Sequence, residues 1–419
     1  MIFLNDDSVE KVYDVPKEIL LMPHGFLQNL FRDVQRNTKK RVLNKYKVIN
    51  YSKYNGEENV FIQYRCYWHH DWYRGIKNIN SEILELVRVN KAKLIFINHL
   101  EGQPLVSEDP NINLLEPLYN ELSRLKLSPE NIIYITANAI ASKEHIKWCD
   151  ENNIKNRMIV HGINTEALWP SIHLVGEGRV NEDTYEQHLD KLKNQKNLRH
   201  FIKAHRNDRH FRTIMAHHLW NKNLSNTLHS HHLEYARNNV GYPPTQDVKT
   251  RKWLNLLLKT KDEFEKTLPH GIEYTCKRQE KKFNSETAFT KDIYELSLFN
   301  IYPTSWPFWK NTIFLRWGLF CHMWEYQPFI IYSNVNALKF IKERGYKTFP
   351  EIFDESYDSI EDDGLRLKVV CEEIERISRL PIEECFELYE SVKDKLIYNR
   401  KQLEKNIELE LLMEFLNEI

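Results

Sequence analysis

The string Lys203-Ala-His-Arg206-Asn-Asp-Arg209-His-Phe-Arg212 carries the most pointed chemistry in this chain. It follows the short apolar run Phe201-Ile202 and leads into a segment with helical character. Arginines three apart at a strand–loop–helix entry fall on one side of it. There their planar forks can grip phosphate oxygens two at a time, beside the positive end of the helix dipole. Residues 189–222 hold nine Lys/Arg against only Asp190 and Asp208. A solvated helix face is the plainer alternative, and the residues alone leave both readings open.

Other groups are candidates for acid–base work. Glu101-Gly102 follows the apolar run Lys93–Asn98, with His99 beside it. A carboxylate at the carboxyl end of a buried strand is placed to act as a general base or to hold an acceptor hydroxyl. It can equally just begin a polar loop. His69-His70-Asp71 lie past the strand-like Val60–Tyr67. Neighbours along a strand face opposite ways, so at most one of His69 and His70 lines a site there. His210, His217 and His218 share a helix face, with His229, His231 and His232 further on. Zinc sites set ligands at i, i+4 with a further carboxylate or Cys, and neither companion is evident, so no metal is expected. The aromatics from Tyr302 through Trp306 and Trp309 to Trp317 and Trp324 could stack a nucleobase, but helix-spaced aromatics usually form core. Phosphate-loop, dinucleotide, serine-hydrolase and zinc-protease signatures are absent.

The elements that must position these residues read as α/β. Strand-like runs at 60–67, 93–98, 131–136 and 157–160 alternate with helical stretches at 82–89, 114–125 and 142–152, where Ser142 and Glu144 mark a helix start. Continuous Ile/Leu/Val runs separated by helices require a parallel sheet covered on both faces. Residues 166–195 lose the pattern. A second such run follows: strand-like 201–203, helical 211–220 and 292–298, strand-like 329–332, then a helix over 335–344 ended by Gly345. Residues 365–379 and 382–416 read as helical, the latter in two pieces. The expected organisation is an N-terminal α/β domain over 1–170, a linker at 171–195, a second α/β domain over 196–380 and helices strapped across the body over 381–419. Two Rossmann-like, doubly wound domains then face a cleft.

Composition bounds the rest. At 419 residues, 42% hydrophobic and 28% charged, the chain is neither low-complexity nor disordered. Lys+Arg and Asp+Glu both number 59, yet residues 351–419 carry 20 acidic and 9 basic side chains, which leaves the compensating positive excess on residues 1–350. A basic body with an acidic tail suits an anionic ligand bound away from the C-terminus. Six scattered cysteines without a Cys-x-x-Cys pair point to reduced thiols in a cytoplasm. Neither a signal peptide nor an 18-residue apolar run is found, so no membrane partner is expected.

Three stretches together resemble a known group. They are Asn131–Asn138 with Trp148–Asn152 and Val160-His-Gly, then Lys203–Arg212, then Gln327-Pro-Phe-Ile-Ile through Gly345–Asp358. The chain resembles phage-encoded, nucleotide-sugar-dependent glycosyltransferases of the GT-B fold, distantly similar to fucosyltransferase and exostosin C-terminal domains. That resemblance implies a sugar nucleotide, a UDP-sugar above all, as donor substrate in the second domain and an acceptor in the first, with no further cofactor. It implies that Lys203, Arg206, Arg209 and Arg212 hold the departing diphosphate without a metal, and that Ser305, Arg316 and Trp317 belong to the donor site. Relatives carry an acidic residue near Ser305 and a Glu where this chain has Phe314-Leu-Arg-Trp-Gly. Arg316 and Trp317 then stand in place of a carboxylate, or donor recognition is lost. Phage origin would set the enzyme in the host cytoplasm. Hydroxymethylated pyrimidine in duplex DNA is the favoured acceptor, near Arg65, Arg74, Lys77, Lys91 and Lys93, with His69, His70 or Glu101 taking the proton. The alternative is a catalytically inactive scaffold that binds DNA or a protein partner.

Overall fold

A computed structural model describes residues 2–5, 21–23, 47–50, 54, 60–66, 72–98, 104–106, 113–163, 183–196, 198–203, 210–224, 227–230, 245–266, 297–303, 312–315, 317–405 and 407–418. The chain divides into two compact units. Unit 1 comprises Met1–Leu168, Trp309–Phe314 and Glu408–Ile419; unit 2 comprises Trp169–Phe308 and Leu315–Ile407.

Unit 1 is built on a sheet whose inner strands are apolar nearly throughout. In β5 (Ala92–Asn98) every residue but Lys93 is buried, and in β6 (Ile132–Thr136) all five are. Strands without a polar face must be covered on both sides, which is the condition for parallel pairing. β1 (Ile2–Asn5), β3 (Lys47–Asn50), β4 (Val60–Cys66), β5, β6 and β7 (Ile159–Gly162) run parallel in the order β3-β1-β4-β5-β6-β7. The chain winds outward from β1 to β3 and then restarts at β4 on the other side, so the order reverses between β1 and β4. β2 (Leu21–Pro23) lies antiparallel against the last residues of β4, from Tyr64 to Cys66. Helices α1 (Ser81–Arg88), α2 (Leu115–Arg124) and α3 (Ala141–Glu151) follow β4, β5 and β6. Asn80 caps α1 by accepting the Glu82 N–H at 2.8 Å, which serves one of the donors a helix start leaves bare. Trp72 fills the centre of this core, 4.9 Å from the Phe96 ring and stacked on Tyr134 at 5.4 Å.

Unit 2 repeats the plan with four parallel strands, β8 (Arg199–Lys203), β9 (Leu228–Ser230), β10 (Ser297–Pro303) and β11 (Phe329–Tyr332), in the order β11-β10-β8-β9. The order again reverses, here between β8 and β10. Phe201, Phe299 and Phe353 pack together on one face of this sheet. The helices are α4 (Tyr185–Lys193), α5 (His210–Asn221), α6 (Val248–Lys259), α7 (Lys261–Lys266), α8 (Trp317–Trp324), α9 (Ala337–Glu343), α10 (Asp363–Ser378), α11 (Ile382–Ser391) and α12 (Lys393–Lys405). The last helix, α13 (Ile407–Glu418), lies almost wholly in unit 1, where Phe415 stacks on His161 at 4.0 Å.

The fold class is therefore α/β with a doubly wound sheet in each unit, as the apolar runs predict. Local differences have physical reasons. Residues 185–193, within the expected linker, form α4, because Thr184 and Gln187 close a reciprocal capping box over its first turn. The helix expected over 292–298 gives way at Ser297 and Leu298 to strand β10, held between β8 and β11. Ser142 does not cap α3; its hydroxyl donates instead to the Val160 carbonyl at 2.7 Å, tying that helix to β7. The stretch 382–416 contains three helices rather than two. Gly345 ends α9 at φ +83°, a left-handed backbone that a Cβ disfavours. Among the described residues no helix is long and apolar enough to cross a membrane.

Candidate functional site

In open parallel sheets, ligands collect outside the carboxyl ends of the strands where the order reverses. In unit 2 that point lies between Lys203, the last residue of β8, and Pro303, the last residue of β10. By chain order, residues 204–209 of the basic string, which lie outside the described residues, stand between Lys203 and His210, the start of α5, which has no acidic residue in its first turn. Arg212 sits in that first turn, and Trp317 is the first residue of α8. The structure thus puts backbone positions on Lys203, Arg212 and Trp317. Arg206, Arg209, Ser305 and Arg316 lie outside the described residues, as do His69, His70 and Glu101. By chain order, His69 and His70 follow the end of β4 and Glu101 follows the end of β5.

His217 and His218 of α5 are engaged in packing. His217 stacks on Phe264 with centroids 4.5 Å apart, and its Nε2 lies 3.0 Å from the Thr260 hydroxyl. Burial pushes its pKa down to about 4. The tautomer of His218 can be assigned. The Trp253 indole N–H can only donate, and it points at His218 Nδ1 from 3.1 Å, so the ring proton is on Nε2 and donates to Glu375 at 2.9 Å. Burial also lowers the pKa of His218, against the pull of Glu375. Glu375 is braced by Lys222 and Arg379 as well, which makes the set a tie between α5, α6 and α10. Among the described residues no three His, Cys, Asp or Glu side chains gather as a metal would need. Asn300, wholly buried on β10, meets no hydrogen-bond partner among the described residues with either side-chain atom.

Within residues 327–358, the most specific part of the resemblance, the Gly345–Asp358 stretch serves internal bracing. Glu355 accepts the Phe349 N–H and the Thr348 hydroxyl, both at 2.8 Å. Asp358 accepts the Leu338 and Lys339 N–H groups at 2.9 and 3.0 Å, and burial raises its pKa. These carboxylates are occupied by the backbone at the start of α9 and in the turn after it.

In unit 1 the strand ends hold a connected polar set that the spacing of residues did not reveal. Asn98, Thr136 and Asn138 are buried at or just past the ends of β5 and β6. The Asn138 amide donates to Glu144 Oε2 at 3.2 Å, while its Oδ1 accepts the Ile140 N–H at 3.2 Å and the Ile313 N–H at 3.3 Å. The Ala139 N–H donates to the Ile313 carbonyl at 3.0 Å. Glu144, in the first turn of α3, also accepts the Leu105 N–H on Oε2 at 3.0 Å and the Val106 N–H on Oε1 at 2.8 Å. Burial raises its pKa to about 7, against these hydrogen bonds to the ionised form. The signal in the sequence is a polar residue directly after each apolar run, Asn98 after Ile-Phe-Ile and Thr136 and Asn138 after Ile-Ile-Tyr-Ile. The next residue, His145, is buried with Nε2 3.0 Å from the Tyr119 hydroxyl and 3.3 Å from Cys149 Sγ. Burial takes its pKa down to about 4 and raises that of Cys149, which leaves a neutral, inert pair.

No protein-family model matches this chain, and no curated protein matches it in sequence. Among solved structures it is similar to the Candida albicans trehalose-6-phosphate phosphatase N-terminal domain, with 11% identity and a TM-score of 0.41 over 87% of this chain and 71% of that one. It is also similar to the trehalose-6-phosphate synthase OtsA, with 10% identity and a TM-score of 0.43 over 87% of this chain and 73% of that one. At that level the likeness transfers neither substrate nor residue roles.

Proposed function

We propose that this chain is a glycosyltransferase that moves a sugar from a nucleotide-sugar donor to an acceptor hydroxyl, with the donor diphosphate held by the Lys203–Arg212 segment. One observation carries the reading: the basic string Lys203–Arg212 begins at the carboxyl end of β8, at the strand-order reversal of an all-parallel sheet, and ends in the first turn of α5. Arginine forks and a helix dipole at such a point stabilise a leaving diphosphate without a metal. Arg206, Arg209 and Arg212 are the proposed grips, with Ser305, Arg316 and Trp317 beside them. Glu101, or one of His69 and His70, is the proposed base toward an acceptor in unit 1. The favoured acceptor is hydroxymethylated pyrimidine in duplex DNA.

A thermal-shift series with UDP, GDP, ADP and their sugar conjugates tests this. Ligand at about a hundredfold over its dissociation constant adds roughly 2.7 kcal/mol, well within reach of the measurement. A shift with one nucleotide family that is lost in Arg206→Ala and Arg209→Ala supports the reading. No shift with any of them overturns it and leaves a binding scaffold without donor chemistry.

A further inference from the structure

Segment Trp309–Phe314 belongs to unit 1, although the residues on either side of it, Phe308 and Leu315, belong to unit 2. It is seated there by a two-way contact: Ile313 donates to the Asn138 side chain at 3.3 Å and accepts from the Ala139 N–H at 3.0 Å. Asn138 is completely buried and its amide is fully committed, because Oδ1 can serve Ile313 and Ile140 only while Nδ2 points at Glu144. Glu144 in turn meets three donors, and two of them are the backbone of Leu105 and Val106, far off in sequence at 39 and 38 residues. The Leu105–Val106 backbone and the 309–314 segment therefore share one pair of side chains. Gly162 closes the arrangement from behind: a Cβ there would stand 2.3 Å from the Asn138 carbonyl oxygen.

We infer that Asn138 and Glu144 are positioning residues that couple the segment after β5 to the Trp309–Phe314 segment, so that loosening either one loosens both. The orientation of the Asn138 amide is the coupling element. The Ile140 and Ile313 N–H groups select Oδ1, and Glu144, accepting from Nδ2, adds a third restraint on the same amide plane, so that a shift of Glu144 is passed to Ile313 through it. The functional meaning of the coupling rests on the reading above, since Glu101 lies four residues before Leu105 and Arg316 three residues after Ile313.

The test is backbone hydrogen exchange on the full chain without ligand, in wild type, Asn138→Ala and Glu144→Gln. Each variant is read at the amides it does not touch. Glu144→Gln should speed exchange at Ile313 by about tenfold, and Asn138→Ala should do the same at Leu105 and Val106, while helix α10 keeps its protection. Changes confined to each variant's own neighbours overturn the coupling. Should Asn138→Ala fail to fold, the isosteric Glu144→Gln read at Ile313 decides alone. Because no nucleotide is present, this result stands apart from donor binding: the coupling can fail while the nucleotides bind, or hold while none does.

Discussion

Glu144 is held between two opposing effects. Three N–H donors favour its anion and burial favours its acid, with burial the larger. Its pKa of about 7 in the folded chain exceeds the ordinary 4.5, so the folded state binds the proton more tightly than the unfolded one. The linked stability is fully present below about 4.5 and is lost as pH rises through about 7, on the order of 3 kcal/mol at most. Urea denaturation of wild type and Glu144→Gln between pH 5 and 8 checks this. The wild type should lose ground to the variant as pH rises, and parallel curves would remove the effect. His145, His188, His217 and His322 carry the opposite sign. Burial brings the first three down to about 4 and His322 to about 3. A folded state that refuses the proton is stable above the ordinary histidine value near 6.5 and loses stability as pH falls from there.

At the scale of elements, the turn after β6 and the end of β7 approach so closely that only glycine fits at 162. Gly162→Ala sets a methyl against rigid backbone rather than a yielding side chain. Overpacking of that kind costs about 1–3 kcal/mol, and the loss should appear as a lower denaturation midpoint with unchanged slope. Removing the α4 cap with Thr184→Ala should cost about 1 kcal/mol, and no change would mean that tertiary packing alone holds the helix. Elements such as β5, β6 and β11 were legible in the sequence because each is a continuous apolar run. β10 was not, since Ser297 and Asn300 break its run and only its two neighbours make it a strand. β9, three residues long, carries too little pattern to register. The Lys203–Arg212 string was visible because its residues are adjacent. The Asn138–Glu144 pair was hidden because most of its partners are backbone amides, which have no letter in a sequence.

Across the whole molecule, charge is sorted along the chain, with the acidic excess of residues 351–419 balanced by positive charge before it. If the acceptor is duplex DNA, retention in a gel shift should be present at low salt and fall steeply toward physiological salt as counterion release weakens, and hydroxymethylated cytosine should strengthen it. No retention of either duplex at low salt would end the DNA reading and leave glycan or small-molecule acceptors. The described cysteines, Cys66, Cys149, Cys321, Cys371 and Cys385, are all buried and in no disulfide with one another, so none offers an exposed thiol.

The division of the chain into units has a consequence for biosynthesis. Unit 1 draws on Met1–Leu168, then Trp309–Phe314, then Glu408–Ile419, so the ribosome delivers its parts in three instalments separated by most of unit 2. The β1–β7 sheet can pair early, but the Asn138 turn waits for Ile313 and the His161 ring waits for Phe415. Unit 2 also stays open until its helices α10 to α12 emerge. A nascent chain halted between residues 168 and 309 would therefore hold a first unit lacking its two short last segments and an incomplete second one. Such a chain is a natural client for chaperones that bind during translation. A release experiment with chains stalled at 170, 320 and 419 residues should show protease resistance rising in steps, with the 1–168 region reaching full resistance only at the longest.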